Sequence, residues 1–255
     1  MAATRVEDST LIPSGRHAHH DPHTQDASGH HPALQHHFDN LEQQRDATTL
    51  GMWTFLVTEI MFFGGLFMAY TIYRIFNPEA FAAASRVLEI KYGAINTAVL
   101  IASSLTMAMA VYFSQIGNRK LLVAFLGLTM VLGTAFLGIK AIEYTGKFSH
   151  NTYPGAVPFE IEHDVVESYE REKGRPFPDI NRVQMFYVIY YGMTGVHALH
   201  MVIGIVALAF LTFFAYRGAY SPEYNSPIEL TGLYWHFVDI VWIFLFPLLY
   251  LIGRN

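Results

Sequence analysis

Apolar side chains along this chain gather into five long runs divided by polar turns, at about 50–73, 93–113, 121–139, 183–216 and 230–252. Each run is near or above the roughly 20 residues that an α-helix needs to cross the hydrocarbon core of a bilayer. The pattern predicts an all-α membrane protein, a five-transmembrane-helix bundle. Four of the runs also carry ionisable side chains. Glu59 lies in the first, Lys140 and Glu143 at the end of the third, His197 and His200 in the fourth, and His236 and Asp239 in the fifth. Such groups are costly in lipid, so each is expected to face protein, water or a partner subunit, forming a buried polar seam.

Asp46, Thr48 and Thr49 precede the first run and are expected to cap its N-terminus. Glu59 lies about three turns in, near mid-membrane, where an unpaired carboxylate is disfavoured. Two readings stay open for it, a proton-linked or regulatory carboxyl and a structural hydrogen bond to a neighbouring helix. In the second run Gly93, Ala94, Ala98, Ala102, Ser103 and Ser104 offer the small surfaces on which membrane helices approach closely, and Asn96 and Thr97 can hydrogen-bond across the contact. The short link 115–120 predicts an antiparallel hairpin, with Arg119 and Lys120 at head-group level. Gly127, Gly133 and Gly138 continue the small-residue pattern on the third helix. Lys140 and Glu143 are three apart and share a face, so an ion pair is expected there in preference to a catalytic role.

His197 and His200 are also three apart and share a face with Gly204. Two imidazoles at that spacing can bind a metal or haem, but a stable site needs a third ligand and oriented supporting partners. The same spacing relates His236 to Asp239, and a His–Asp hydrogen bond inside the bundle is the economical reading. Arg217, just past the fourth run, joins Arg119 and Lys120 as a candidate contact for lipid head groups.

The polar segments differ in character. Residues 1–47 show no apolar period and hold His17, His19, His20, His23, His30, His31, His36 and His37 among Asp, Gln, Pro and Ser. Such a segment reads as a disordered, solvent-exposed tail, without the pattern of a secretory signal. Metal capture by His17, His19, His20 and His23 is weighed against a tail of merely biased composition, and the second is preferred. Residues 146–182 form the one substantial polar loop, whose stretch from Glu160 to Lys173 is expected to make a short surface helix. Its Glu162, Asp164, Glu167, Glu170 and Glu172 form either a docking surface or a solvated face.

Composition narrows the classes further. Hydrophobic residues make up 52% of the chain and charged residues 15%, too apolar a balance for a wholly water-soluble surface. With no cysteine, disulfides, thiolate catalysis, iron–sulfur clusters and thiolate-bound haem or zinc are excluded. A net charge of −5 gives no reason to expect nucleic acid.

Several motifs then fall in a telling order: Thr-Glu-Ile-Met-Phe-Phe-Gly-Gly at 58–65, Ile-Asn-Thr-Ala-Val-Leu-Ile-Ala-Ser-Ser at 95–104, Thr-Gly-Val-His-Ala-Leu-His-Met-Val-Ile-Gly at 194–204 and Tyr-Trp-His-Phe-Val-Asp-Ile-Val-Trp at 234–242. With Arg119-Lys120 and Glu143-Tyr144 they resemble subunit III of the haem–copper oxidases, from about Leu50 to the C-terminus. The resemblance implies an accessory subunit that binds no haem or copper and has no catalytic residue or metal site of its own. It implies packing against subunit I, which reduces dioxygen and pumps protons, with subunit II and other respiratory complexes as further partners. Stabilising subunit I and supporting proton uptake would be its part in a cytochrome c oxidase. A quinol oxidase or a nitric-oxide-reductase accessory subunit shares the helix plan, and a small proton-coupled transporter stands as the reading from another class.

In the family, two groups of helices flank a cleft that holds structural phospholipid and has been proposed as an oxygen route. By analogy Glu59, His197 and His236 would line it. Seven-helix members have two further N-terminal helices; this chain has a polar tail there and resembles the five-helix bacterial members, although its loop 146–182 is longer. The resemblance implies a multi-pass protein of the bacterial inner membrane with a cytoplasmic N-terminus. The positive-inside bias points the other way, since Arg74, Arg86, Lys91, Lys147 and Arg182 would then lie outside.

Overall fold

The computed structural model describes residues 37–149, 151–153, 155, 159, 161 and 163–252. Expectations for the tail before His37, including metal capture, lie outside them, as does Glu162. Every named element is helical: α1 (Leu41–Phe76), α2 (Pro78–Arg86), α3 (Ile90–Gln115), α4 (Arg119–Ser149), α5 (His163–Lys173), α6 (Ile180–Arg217) and α7 (Ser226–Phe246), the last running on into a π-helical turn at Pro247–Leu251. Five of these are long and apolar enough to cross a membrane, as the apolar runs predict.

The first helix starts earlier than its apolar run. It is capped by Asn40, whose Oδ1 accepts from Gln43 N at 2.8 Å, while Gln43 Oε1 accepts from Asp39 N at 2.8 Å. Asp46, Thr48 and Thr49, expected as caps, lie inside the helix. The Asn40 cap satisfies one of the donors left bare at a helix start, the Gln43 side chain ties back to Asp39 ahead of the cap, and a polar first turn does not prevent helix formation.

An element with no apolar run of its own is α2. Pro78 at its first turn and Glu79 behind it start the helix, and the alanine-rich body continues it. Its Phe81 is fully buried and meets the rings of Tyr70 and Phe186 edge-on. From the other side α5, the surface helix expected from the loop, is tied to α2 by Arg86, which grips both Glu172 oxygens at 2.5 and 2.9 Å. Arg175 also pairs with Glu79. Two of the loop's acids are therefore spent inside the chain: Glu172 on Arg86, and Glu170, whose Oε1 accepts from Phe177 N at 2.9 Å.

Trp235 is the hub of α3, α4, α6 and α7. A Cβ added at Gly133 would come within 2.7 Å of its ring, and one at Gly204 within 2.9 Å, so both glycines exist as slots for the indole. Its Nε1 donates to Ser103 Oγ on α3 at 3.0 Å. Gly93 serves Phe246 in the same way. Gly127 and Gly138, expected to act alike, have nothing within 4 Å. Of the two polar residues expected to bridge helices, Thr97 accepts from Trp242 Nε1 at 3.2 Å, whereas the buried Asn96 amide has no hydrogen bond.

Candidate functional site

The ionisable residues of the spans fall into three separate clusters, each built by different helices. The densest joins α4, α6 and the C-terminal π-turn. Lys140 Nζ donates to Glu143 Oε2 at 2.8 Å and to the Tyr250 hydroxyl at 2.6 Å. Tyr190 donates to Glu143 Oε1 at 2.8 Å, and Tyr250 reaches the same oxygen at 2.7 Å. Lys147 stands 4.0 Å from that oxygen, one helical turn along. The expected Lys140–Glu143 pair is formed, enclosed by aromatic rings, with the ammonium 4.7 Å from the Trp242 ring centre. Beside it the Tyr144 hydroxyl meets Thr194 Oγ1 at 2.5 Å. Beyond Glu143 and Lys147 a cavity of about 410 Å³ extends towards Arg86 and Tyr92.

A second cluster connects α1 to α6. His200 Nε2 lies 3.0 Å from Glu59 Oε2, its Nδ1 2.8 Å from Val196 O, and its own carbonyl accepts from the Tyr234 hydroxyl at 3.0 Å. The bond of Nδ1 to a carbonyl, which can only accept, makes Nδ1 a proton-bearing nitrogen. Of the two readings of Glu59, the geometry supplies the interhelical hydrogen bond. Phe63 packs on the same imidazole, with ring centres 5.1 Å apart. Just along α1, Met52 and Phe55 join Ile203 and Ala207 of α6 and Leu230 and Tyr234 of α7 around an apolar crevice of about 280 Å³.

The third cluster lies between α3 and α7. His236 Nδ1 meets Ser104 Oγ at 2.7 Å, and no hydrogen bond links His236 to Asp239, correcting that expectation. Residues three apart on a helix diverge by about 60° in azimuth, enough to send the imidazole to α3 and leave the carboxyl beside it.

The same divergence separates His197 from His200. His197 is fully buried between the rings of Phe136 and Trp242, with neither ring nitrogen hydrogen-bonded, whereas His200 turns to α1. The two imidazoles and Gly204 therefore do not serve one site: Gly204 receives Trp235 instead. Nor do Glu59, His197 and His236 line one cleft. Only Glu59 borders the α1 side; His197 is enclosed, and His236 opens to the α3–α7 side. Among the described residues no three His, Cys, Asp or Glu side chains converge as metal ligands.

At the other end of the bundle, Arg119 Nε donates to Ala215 O at 3.0 Å, capping the end of α6 where Gly218 takes a positive φ of 81°. Arg217 covers the Phe213 ring at 4.5 Å, and Lys120 is exposed. The sequence reading missed Tyr190 and Tyr250 in the Glu143 cluster. Their signal was weak, since tyrosines are common in these apolar runs and nothing local marks the two that turn inward.

The family model for cytochrome c oxidase subunit III matches residues 33–153 and 180–254, which takes in all five long helices. This chain belongs to that family. Subunit III relatives from two bacteria match along nearly their whole length. The chain is 24% identical over 218 residues to cytochrome bo(3) ubiquinol oxidase subunit 3 of Pseudomonas aeruginosa, covering 86% of this chain and 91% of that one. It is 28% identical over 217 residues to the probable quinol oxidase subunit 3 of Staphylococcus aureus, covering 84% and 94%. As a haem–copper oxidase subunit III, the protein is a multi-pass member of an oxidoreductase complex. The segment the family match skips, 154–179, holds α5 and its tie to α2.

Proposed function

We propose that this subunit III is a non-redox brace of a proton-pumping terminal oxidase. It packs against subunit I, in contact with subunit II, stabilises the subunit that carries haem and copper, and supports its proton uptake. The observation that carries the reading is the family match across every membrane-crossing helix. The placement of the imidazoles supports it, because His197, His200 and His236 are each turned to a different neighbour. In the apolar crevice between α1, α6 and α7 we place a structural phospholipid chain, whose tail suits the Met52, Phe55 and Ile203 walls. The family orientation puts the N-terminus in the cytoplasm of a bacterium and the chain in its inner membrane; protease access to the N-terminal tail in sealed vesicles tests that.

Two electron donors compete. The family name points to cytochrome c, but both relatives are named quinol oxidase subunits, which favours a quinol for the complex this chain joins. Purifying the complex through this chain tests the whole reading. A haem-bearing subunit should come with it, and oxygen uptake with reduced cytochrome c and with a quinol then separates the donors. Glu59→Gln can donate or accept towards His200 Nε2, so haem content should be unchanged and turnover durability or proton uptake modestly reduced. Complete loss of oxygen reduction in a fully assembled Glu59→Gln complex would falsify the supporting role.

A further inference from the structure

Between α3 and α7 runs a groove of about 380 Å³, walled by Ile101, Leu105 and Ala108 on one side and by Ile240 and Ile243 on the other, with Asp239 at its base. Asp239 is 3% exposed, and neither of its carboxyl oxygens has a hydrogen bond. Ser104 is the polar side chain nearest at hand, but its hydroxyl sits 2.7 Å from His236 Nδ1 and has a single proton to give. A carboxyl offers about four acceptor positions, so most remain unmet even with that proton turned towards it. Buried polar groups without partners are rare and costly, and a membrane supplies no water to relieve them.

We propose that this groove is the seat of a transmembrane helix from a companion oxidase subunit, which inserts a hydrogen-bond-donating side chain between Leu105 and Ile240 to meet Asp239. The inference rests on the accessory-subunit reading and adds the face and the chemistry of the contact. Depth selects the occupant. Asp239 is the fourteenth residue of the Ser226–Leu251 span, about 20 Å along it at ~1.5 Å per residue. Lipid head groups do not reach that depth, and acyl chains carry no donor. A helix brings a backbone already satisfied, a donor side chain at a fixed height and apolar flanks for the isoleucine and leucine walls. Ala108 and Ser104, both small, let its backbone come close. Leu105 and Ile101 are 66% and 56% exposed, an apolar rim that such a helix would cover.

The test uses the complete oxidase in its native membrane. The chain has no cysteine, so Leu105→Cys and Ile240→Cys each give one attachment point for a photoreactive benzophenone, with Phe210→Cys on α6 as the control. Mass spectrometry of the adducts should find one transmembrane segment of a companion subunit at 105 and 240, with a donor residue within a turn of the attachment, and a different pattern at 210. Phospholipid adducts alone at 105 and 240, in a complex that still carries its haem subunit, overturn this inference and leave the accessory-subunit reading standing. Absence of any haem-bearing companion from the wild-type complex overturns both. As a second measure, Asp239→Leu should cut retention of the companion through a detergent wash about tenfold, with the protease digestion pattern of this chain unchanged. Asp239→Asn keeps an acceptor and should retain most of it; equal behaviour of the two variants sinks the proposal.

Discussion

Glu143 and Asp239 are both carboxyls closed off inside the helix bundle, yet their surroundings differ in kind. Glu143 receives Lys140, Tyr190 and Tyr250, with Lys147 at 4.0 Å, so its acceptor positions are taken by donors from α4, α6 and the C-terminal turn. Asp239 has apolar walls and a serine already engaged. The contrast teaches how to read a polar residue in a membrane span. A saturated carboxyl holds its own chain together, whereas an unsaturated one is an unfinished contact. The carboxyl of Glu59, with one imidazole, lies between them.

The two carboxyls should differ most when each is replaced by an apolar residue. Glu143→Leu strands the Lys140 amine and two tyrosine hydroxyls, and loss of one partner of a buried pair costs about 3–5 kcal/mol. Thermal unfolding of the purified chain in detergent should show that loss, with Tyr250 and the C-terminal turn becoming accessible to protease first. Asp239→Leu in the same assay should leave the chain's own stability unchanged or raised, since nothing within the chain depends on it. If both variants lost stability equally, the distinction between saturated and unsaturated sites would be wrong.

A smaller effect probes the packing around Trp235. Gly204→Val would push a side chain into the Trp235 ring, where a Cβ alone already comes within 2.9 Å. Overpacking of this sort costs roughly 1–3 kcal/mol, and Trp235 can respond only by giving up its bond to Ser103. Gly127→Val, with nothing within 4 Å of its Cβ position, should be close to silent in the same unfolding measurement.

That pair of glycines shows where sequence reading stops. Helix count, the hairpin at 115–120, the surface helix α5 and the Lys140–Glu143 pair are all local or periodic properties, and periodicity carries them. Which glycine faces a neighbour depends on the rotation of each helix, and near-uniform apolarity around α6 leaves that rotation unmarked. Gly204 and Gly127 look alike until Trp235 is in place. The His236–Asp239 expectation failed for a related reason, because spacing gives proximity along a helix but not which partner a third helix presents, here Ser104. The start of α1 and the whole of α2 escaped because apolar runs report membrane depth rather than helix ends, although Asn40 with Gln43 and Asn77-Pro78-Glu79 were local start signals.

The smallest effect lies outside the membrane, where the acid has water as an alternative. Glu172 is held below its ordinary value of 4.5 first by its hydrogen bond from Arg86, and the same bond raises the Arg86 guanidinium. A carboxyl depressed in the folded state adds stability that is present above its unfolded value and is lost as the pH falls through the folded one. The tie between α2 and α5 should therefore hold at neutral pH and weaken on acidification below about 4.5, with Lys173, 3.8 Å from the same carboxyl, assisting it. Glu79, paired with Arg175, joins the neighbouring stretch to α2. Because the Glu172 carboxyl faces solvent, the change is local: protease cutting within 151–175 should speed up at low pH or high salt while the unfolding temperature of the bundle stays put. Glu172→Gln should cut faster at neutral pH and show a flatter pH profile. A profile that kept its full amplitude in that variant would assign the acid response to other groups of the loop, and would show that even a bidentate arginine pair at this surface contributes nothing measurable.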